Sequence, residues 1–135
     1  MCKKIHQLKF RARYGETDQM GYVHHANYAR YFEMGRIEWL RSLGTSYASL
    51  ESSGVLLPVM SLSVTFKKAI FFDDELVLET CLETAPDLYL DFTYKLYNHS
   101  QNCCAEGQTK LVFLDADSRK PMRCPKALYQ KIMSS

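Results

Sequence analysis

The hydrophobic period of this chain changes along its length, and that change limits what it can fold into. Residues 27–43 carry Tyr28, Phe32, Gly35, Trp39 and Leu43 at spacings of three and four, which is one apolar stripe of a helix. After Pro58 the period becomes two. Met60, Leu62, Val64 and Phe66 alternate with polar residues, followed by Leu76, Leu78, Thr80 and Leu82, and then by Leu88, Leu90, Phe92, Tyr94 and Leu96. A last strand is predicted over 104–114. An alternating run also precedes the helix: Leu8, Phe10, Ala12 and Tyr14 point one way and Gln7, Lys9, Arg11 and Arg13 the other, which predicts a strand over 7–14. Turn residues at Asp73-Asp74, Ala85-Pro86-Asp87 and Asn98–Asn102 keep the later connections short, so those strands pair antiparallel. The expected class is therefore α+β, a five-stranded antiparallel sheet wrapped around one long central helix.

Within that helix Tyr31 widens the stripe, while Met34, Ile37 and Leu40 lie off it, so the helix is expected to be covered on more than one side. Gly35 lowers helix propensity in mid-stripe but lets another backbone come close. Gly44 is a natural stop. Thr45 is expected to cap a second short helix through Leu50, ended by Ser52-Ser53-Gly54, and Pro125 to open a C-terminal helix through Met133. Tyr89 and Tyr97, on the strand faces turned away from the helix, call for cover, and self-association is the simple source of it.

At 135 residues the chain is expected to form one domain, 1–135, with a single core. A formal charge of +2 gives no argument for nucleic acid, and no such partner is expected. Five cysteines without paired C-x-x-C spacing argue against a zinc site, so no metal is expected. Met1-Cys2-Lys3-Lys4 does not begin a secretory signal, and no run reaches transmembrane length. Free thiols in a reducing cytoplasm are the expectation, with no integral membrane segment.

The chemistry is concentrated before the long helix. Asp18-Gln19-Met20-Gly21-Tyr22-Val23-His24-His25-Ala26-Asn27-Tyr28 sets an acid, a glycine turn and a histidine pair at the helix start. Unpaired N–H groups at a helix N-terminus can hold a developing negative charge, and a carboxylate beside them can act as nucleophile or base. On its own, Asp-x-x-Gly is ordinarily a turn cap, and a histidine at such a junction is ordinarily a cap or a surface residue.

The wider segment changes that balance. Tyr14-Gly15-Glu16-Thr17-Asp18, continuing through Gly21 and His25 to Asn27-Tyr28 and then Arg30-Tyr31-Phe32-Glu33, resembles the signature of hotdog-fold acyl-CoA thioesterases. The similarity is to the 4-hydroxybenzoyl-CoA thioesterase-like branch, which includes the short enzymes linked to the Tol–Pal envelope system. Val64 to Leu76 is similar too, with Ala69 where many relatives carry proline. The resemblance implies a hotdog fold, an acyl-CoA substrate cleaved to a free acid and coenzyme A, and no cofactor. It also implies a homodimer sharing a continuous sheet, or a homotetramer built from two such dimers, with active sites at the dimer interface. By residue, it implies Asp18 as nucleophile or base and His25 as oxyanion donor through its backbone N–H, or as proton carrier through its ring. Gly21 would allow close approach to the substrate, and Tyr14 would belong to the site. Asn27 would fix the loop or meet substrate. The basic pairs Lys67-Lys68 and Arg119-Lys120 are ordinarily solvated, but coenzyme A carries phosphates that one pair would hold, and Lys67 and Lys68 are the candidates. Glu33 carries a rival reading, since another hotdog branch uses a helix glutamate; the plain account is an i,i+3 ion pair with Arg36. A hotdog dehydratase or hydratase would need a histidine and an acid facing one pocket. A non-catalytic module binding acyl-CoA or acyl carrier protein is the third possibility. Turnover of a saturated acyl-CoA separates the dehydratase, and tight binding without thiol release would mark the module.

Overall fold

In a computed structural model that describes residues 4–134, the elements run β1 (Lys4–Arg11), a 3₁₀ turn (Tyr14–Glu16), α1 (Ala26–Ser42), α2 (Tyr47–Ser52), β2 (Val55–Leu56), β3 (Val59–Phe66), β4 (Glu75–Leu82), β5 (Tyr89–Asn98), β6 (Cys103–Val112), β7 (Leu114–Asp115) and α3 (Lys126–Met133). The five long strands form one antiparallel sheet in the order β1-β4-β5-β6-β3. The sheet wraps α1, the hotdog arrangement that the sequence implies. β2 and β7 make a separate two-stranded ladder that the sequence reading missed, running on from the strand expected over 104–114.

The period-two pattern sets the inner face. Leu76, Leu78 and Leu82 on β4, and Leu90, Phe92, Tyr94 and Leu96 on β5, are all buried. Against them α1 buries Tyr28, Tyr31, Phe32, Trp39 and Leu40. The Phe32 ring stacks on Tyr94 with centroids 4.2 Å apart, and Trp39 meets Phe92 edge-on at 4.9 Å. Each fully buried side chain of this size stabilises the fold by roughly 1.5–3 kcal/mol before ordering costs. Met34 and Ile37 are half-buried, so the helix is indeed covered on more than one side. Gly35 sets how close it lies: a Cβ there would stand 2.3 Å from Thr80 Oγ1 and 2.7 Å from Leu78 Cδ2.

Several local expectations need correction. The first strand ends at Arg11, not at residue 14, because Ala12 N–H already bonds Asp74 O and the chain then tightens into the 3₁₀ turn. Tyr14 therefore leaves the inner face and is 76% exposed, its ring edge-on to Phe72. Ser46, not Thr45, caps α2 by accepting from Ser49 N–H. Arg36 forms no ion pair with Glu33; it turns inward and donates to Tyr47 Oη and Tyr94 Oη, each at 3.3 Å. The outer face is mostly polar rather than aromatic. Asp91, Thr93 and Lys95 lie opposite Lys110, Gln108 and Glu106, and Lys110 Nζ covers Tyr89 from 4.8 Å. The apolar demand for cover comes from elsewhere, the edge strand β3. Cys103, Cys104 and Cys124 are free thiols, but Cys81 is disulfide-bonded, against the expectation of free thiols throughout. Among the described residues, no helix is long and apolar enough to cross a membrane.

Candidate active site

The loop between β1 and α1 is built as a small closed structure. Thr17 and Val23 form an antiparallel bridge, and Tyr22 bridges to Phe71. Between them Asp18 N–H donates to Tyr22 O at 2.8 Å and Gly21 N–H donates to Asp18 O at 3.0 Å. Gly21 has φ +81°, a left-handed conformation that disfavours any side chain and closes the turn. Met20 N–H donates to Asp18 Oδ1 at 2.9 Å. One carboxylate oxygen of Asp18 therefore closes the turn, while the other has no partner among the described residues. Asp18 itself is half-buried.

His25 is the N-cap of α1, in helical conformation and with no side-chain cap bond. Its backbone N–H meets no acceptor among the described residues, whereas the neighbouring Ala26 N–H donates to His24 Nδ1 at 3.3 Å. The two histidine rings lie 4.2 Å apart. An open N–H at the positive end of a 17-residue helix is suited to an oxygen carrying negative charge. Asn27 faces back into the loop, its Nδ2 donating to Glu16 O at 2.9 Å.

A cleft of about 270 Å³ opens beside this helix start, walled by Tyr22, Val23, His25 and Tyr28 on one side and by Phe66, Lys67, Lys68 and Ala69 on the other. The fold thus brings His25, Lys67 and Lys68 together from distant parts of the sequence. Asp18, Gly21, Asn27 and Tyr14 are not on its walls. The two lysines are not equivalent. Lys67 Nζ is paired with Glu106 at 3.0 Å, but Lys68 has no acidic partner among the described residues. Both of their backbone N–H groups donate to Cys104 O, which pins this wall to β6. Burial pushes the Tyr28 hydroxyl up to about 12, so it stays protonated as a neutral lining group.

Glu16 was not singled out in the sequence, and it is the most connected acid of the loop. Its Oε1 accepts from Tyr31 Oη at 2.7 Å and from Arg13 N–H at 2.8 Å, and its Oε2 accepts two bonds from the Arg13 guanidinium. Burial works to raise its pKa, but the hydrogen bonds from Arg13 and Tyr31 together outweigh it and hold the carboxyl below its usual range. Tyr31 is driven the opposite way, upward, by burial and then by the same carboxylate. The sequence signal that could have found this pair was the 15-residue spacing from Glu16 to a tyrosine on the buried stripe, which becomes visible only once the loop is known to fold back.

A larger cleft, about 500 Å³, lies between α1 and α2 and is lined by Glu33 and Arg36 among others. Glu33 and His25 therefore face different clefts within one protomer. Among the described residues, no cluster of three or more His, Cys, Asp or Glu could hold a metal ion.

Comparison with known proteins agrees with this fold. The family model for the thioesterase-like superfamily matches residues 12–132. YneP of Bacillus subtilis is 32% identical over 123 residues, covering 91% of this chain and 89% of its own. The acyl-CoA thioesterase YbgC of Haemophilus influenzae is 30% identical over 117 residues, covering 86% and 85%. A crystal structure of a DHNA-CoA thioesterase from Staphylococcus aureus superposes with a TM-score of 0.88 at 32% identity, covering 96% of this chain and 91% of that one. The family model spans the loop, the helix start and the strands β3 to β6, and on it this hotdog-fold chain belongs to the thioesterase-like superfamily.

Proposed function

We propose that the protein is an acyl-CoA thioesterase, hydrolysing the thioester to a free carboxylic acid and coenzyme A. The observation that carries this reading is the unaccepted His25 N–H at the start of α1, beside a cleft that also holds an unpaired lysine. A thioester carbonyl oxygen seated at that N–H is polarised, and the negative charge it gains in the tetrahedral state meets the helix dipole. Asp18 then supplies the second component by one of two routes. Its free oxygen attacks the carbonyl carbon, the C–S bond breaks, the thiolate leaves and water hydrolyses the mixed anhydride. Alternatively it takes a proton from water, and hydroxide makes the attack. Lys68, rather than Lys67, is the cation available for a coenzyme A phosphate, because Lys67 is occupied by Glu106.

The active unit is proposed to be a homodimer, with a tetramer of two dimers as the next level. β3 is an edge strand with no partner on its far side among the described residues. Val59, Leu62 and Phe66 lie opposite Leu111, Thr109 and Ala105, on the inner face, yet all three are exposed. A second copy pairing along β3 would extend the sheet and cover them, and Phe66 would bring that interface to the cleft. It would also bring the partner's surface towards Asp18 and Tyr14, which one protomer leaves off the cleft walls. We place the chain, as one domain over 1–135, among cytoplasmic enzymes of the branch that includes the Tol–Pal-linked thioesterases.

The test is thiol release across a panel of saturated acyl-CoA esters. Asp18→Asn should lower turnover by roughly 10²–10⁴-fold with the fold retained; undiminished activity would remove Asp18 from the mechanism. Label found in the Asp18 carboxylate after single-turnover hydrolysis in ¹⁸O-water would establish the anhydride route with water attacking the Asp18 carbonyl, since the base route puts all label in the product acid. Trapping of an acylated Asp18 tests the anhydride whichever carbonyl water attacks.

A further inference from the structure

Asp18 and His25 sit seven residues apart on a loop whose own turns are short, so something outside the turn must hold that loop at a fixed height over α1. Glu16 is the residue placed to do so. Its backbone carbonyl accepts from His24 N–H at 2.8 Å and from Asn27 Nδ2 at 2.9 Å, joining the two ends of the loop. Its carboxylate accepts from Arg13 N–H, where β1 has just ended, and from Tyr31 Oη, one turn beyond Asn27 on α1. Tyr31 is wholly buried and packs against Phe10 at 4.8 Å, so this anchor is fixed to the core. Thr17, the next residue, adds two bonds to Tyr14 O through its N–H and its hydroxyl. One end of the loop is therefore tied at a single residue, through its carbonyl and its carboxylate together, two residues before the proposed catalytic acid.

We propose that Glu16 is a positioning residue: through Tyr31 and Arg13 it fixes where Asp18 and the His25 N–H stand relative to the start of α1. It does not touch the substrate, and it acts through the loop. The proposal rests on the thioesterase reading for the identity of the groups being positioned, but the position itself can be measured without the reaction.

Amide hydrogen exchange of residues 17–25 is the direct measurement, combined with kcat and KM for thiol release well below the unfolding temperature. Glu16→Ala keeps the carbonyl that holds His24 N–H but removes the carboxylate tie to Arg13 and Tyr31. Opening of the loop, read at the His24 amide and across the Asp18–Gly21 turn, should therefore rise by roughly ten- to a hundredfold, the range set by losing that charged anchor. It should lower kcat by a similar factor while KM changes less than threefold or so, because the binding walls at Lys68 and Tyr28 are untouched. Glu16→Gln keeps an acceptor for Arg13 N–H and Tyr31 Oη, so it should recover most of the kcat lost in Glu16→Ala. Should Glu16→Ala fail to fold, Tyr31→Phe removes only the buried hydroxyl and should show the same pattern at smaller size. Unchanged loop exchange in both Glu16→Ala and Tyr31→Phe would overturn the proposal, as would a kcat equal to that of the unaltered protein. Faster loop exchange in a protein that hydrolyses no thioester would discard the reaction and leave the anchor standing.

Discussion

β5 and β3 carry the same kind of sequence and meet opposite ends. Both alternate apolar with polar residues, and both turn their apolar side to the same face of one sheet. In β5 that face is sealed: Leu90, Phe92, Tyr94 and Leu96 are all at or below 1% exposure. In β3 Leu62 is 48% and Phe66 53% exposed, because α1 packs mainly on β1 and β4 at the other side of the sheet and meets β3 through the Tyr28 ring, edge-on to Phe66 at 4.9 Å. Alternation fixes which side chains share a face. It does not say where in the sheet the strand stands, and only the position decides whether the face is closed by the chain's own helix or left for another molecule.

That contrast can be tested by substitution. The largest effect is expected at Phe92, held between Trp39 and Tyr94. Phe92→Ala should destabilise the fold by about 3–5 kcal/mol in denaturant unfolding; a loss below about 1 kcal/mol would mean that the centre of the sheet is no better packed than its edge. Gly35→Ala is the next largest. The added methyl meets Thr80 and Leu78, and about 1–3 kcal/mol should be lost through strain rather than a cavity. Third is the Glu16 carboxylate, whose pKa is lowered in the folded state. A carboxyl of this kind contributes stability above the unfolded pKa of about 4.3, and that contribution is lost as the pH falls through the lower folded value. Glu16→Gln should therefore cost roughly 1 kcal/mol at neutral pH, and the gap to the unaltered protein should close as acid is added. A gap independent of pH would show that the charge plays no part. The smallest effect on the single chain belongs to Leu62. Leu62→Lys should change its stability by less than about 0.5 kcal/mol, yet halve the mass seen in sedimentation if the β3 edges pair. An unchanged assembly would place the interface elsewhere.

Much of the frame was legible because it depends on local periodicity. The stripe from Tyr28 to Leu43 predicted α1 to within a residue at each end, and Asp73, Asn98 and Gln101 fall in or beside the turns that were expected. What local pattern could not supply was the identity of distant neighbours. Arg36 reads as a surface cation three residues from an acid; it is buried because Tyr94 and Tyr47, 58 and 11 residues away, present hydroxyls to it. Tyr14 continues an alternation that the backbone abandons two residues earlier. In the proposed site, Asp18, Gly21, His25 and Asn27 were singled out by their order along the chain and the resemblance it carries, but part of the reason the loop holds its shape lies in Glu16, which as a type is an ordinary loop acid. Nor could order alone distinguish Lys67 from Lys68, since the difference is made by Glu106 on a neighbouring strand.

The missing side chain at position 35 has a mechanical consequence. It lets α1 lie against β4 with hydrogen where any other residue would put carbon, so the rod comes to rest at one depth set by Thr80 and Leu78. The same rod begins at His25, roughly 15 Å away at 1.5 Å per residue. Lifting it at its midpoint would tilt its mouth, so the height of the cleft floor is gauged by a contact on which no reactant ever rests.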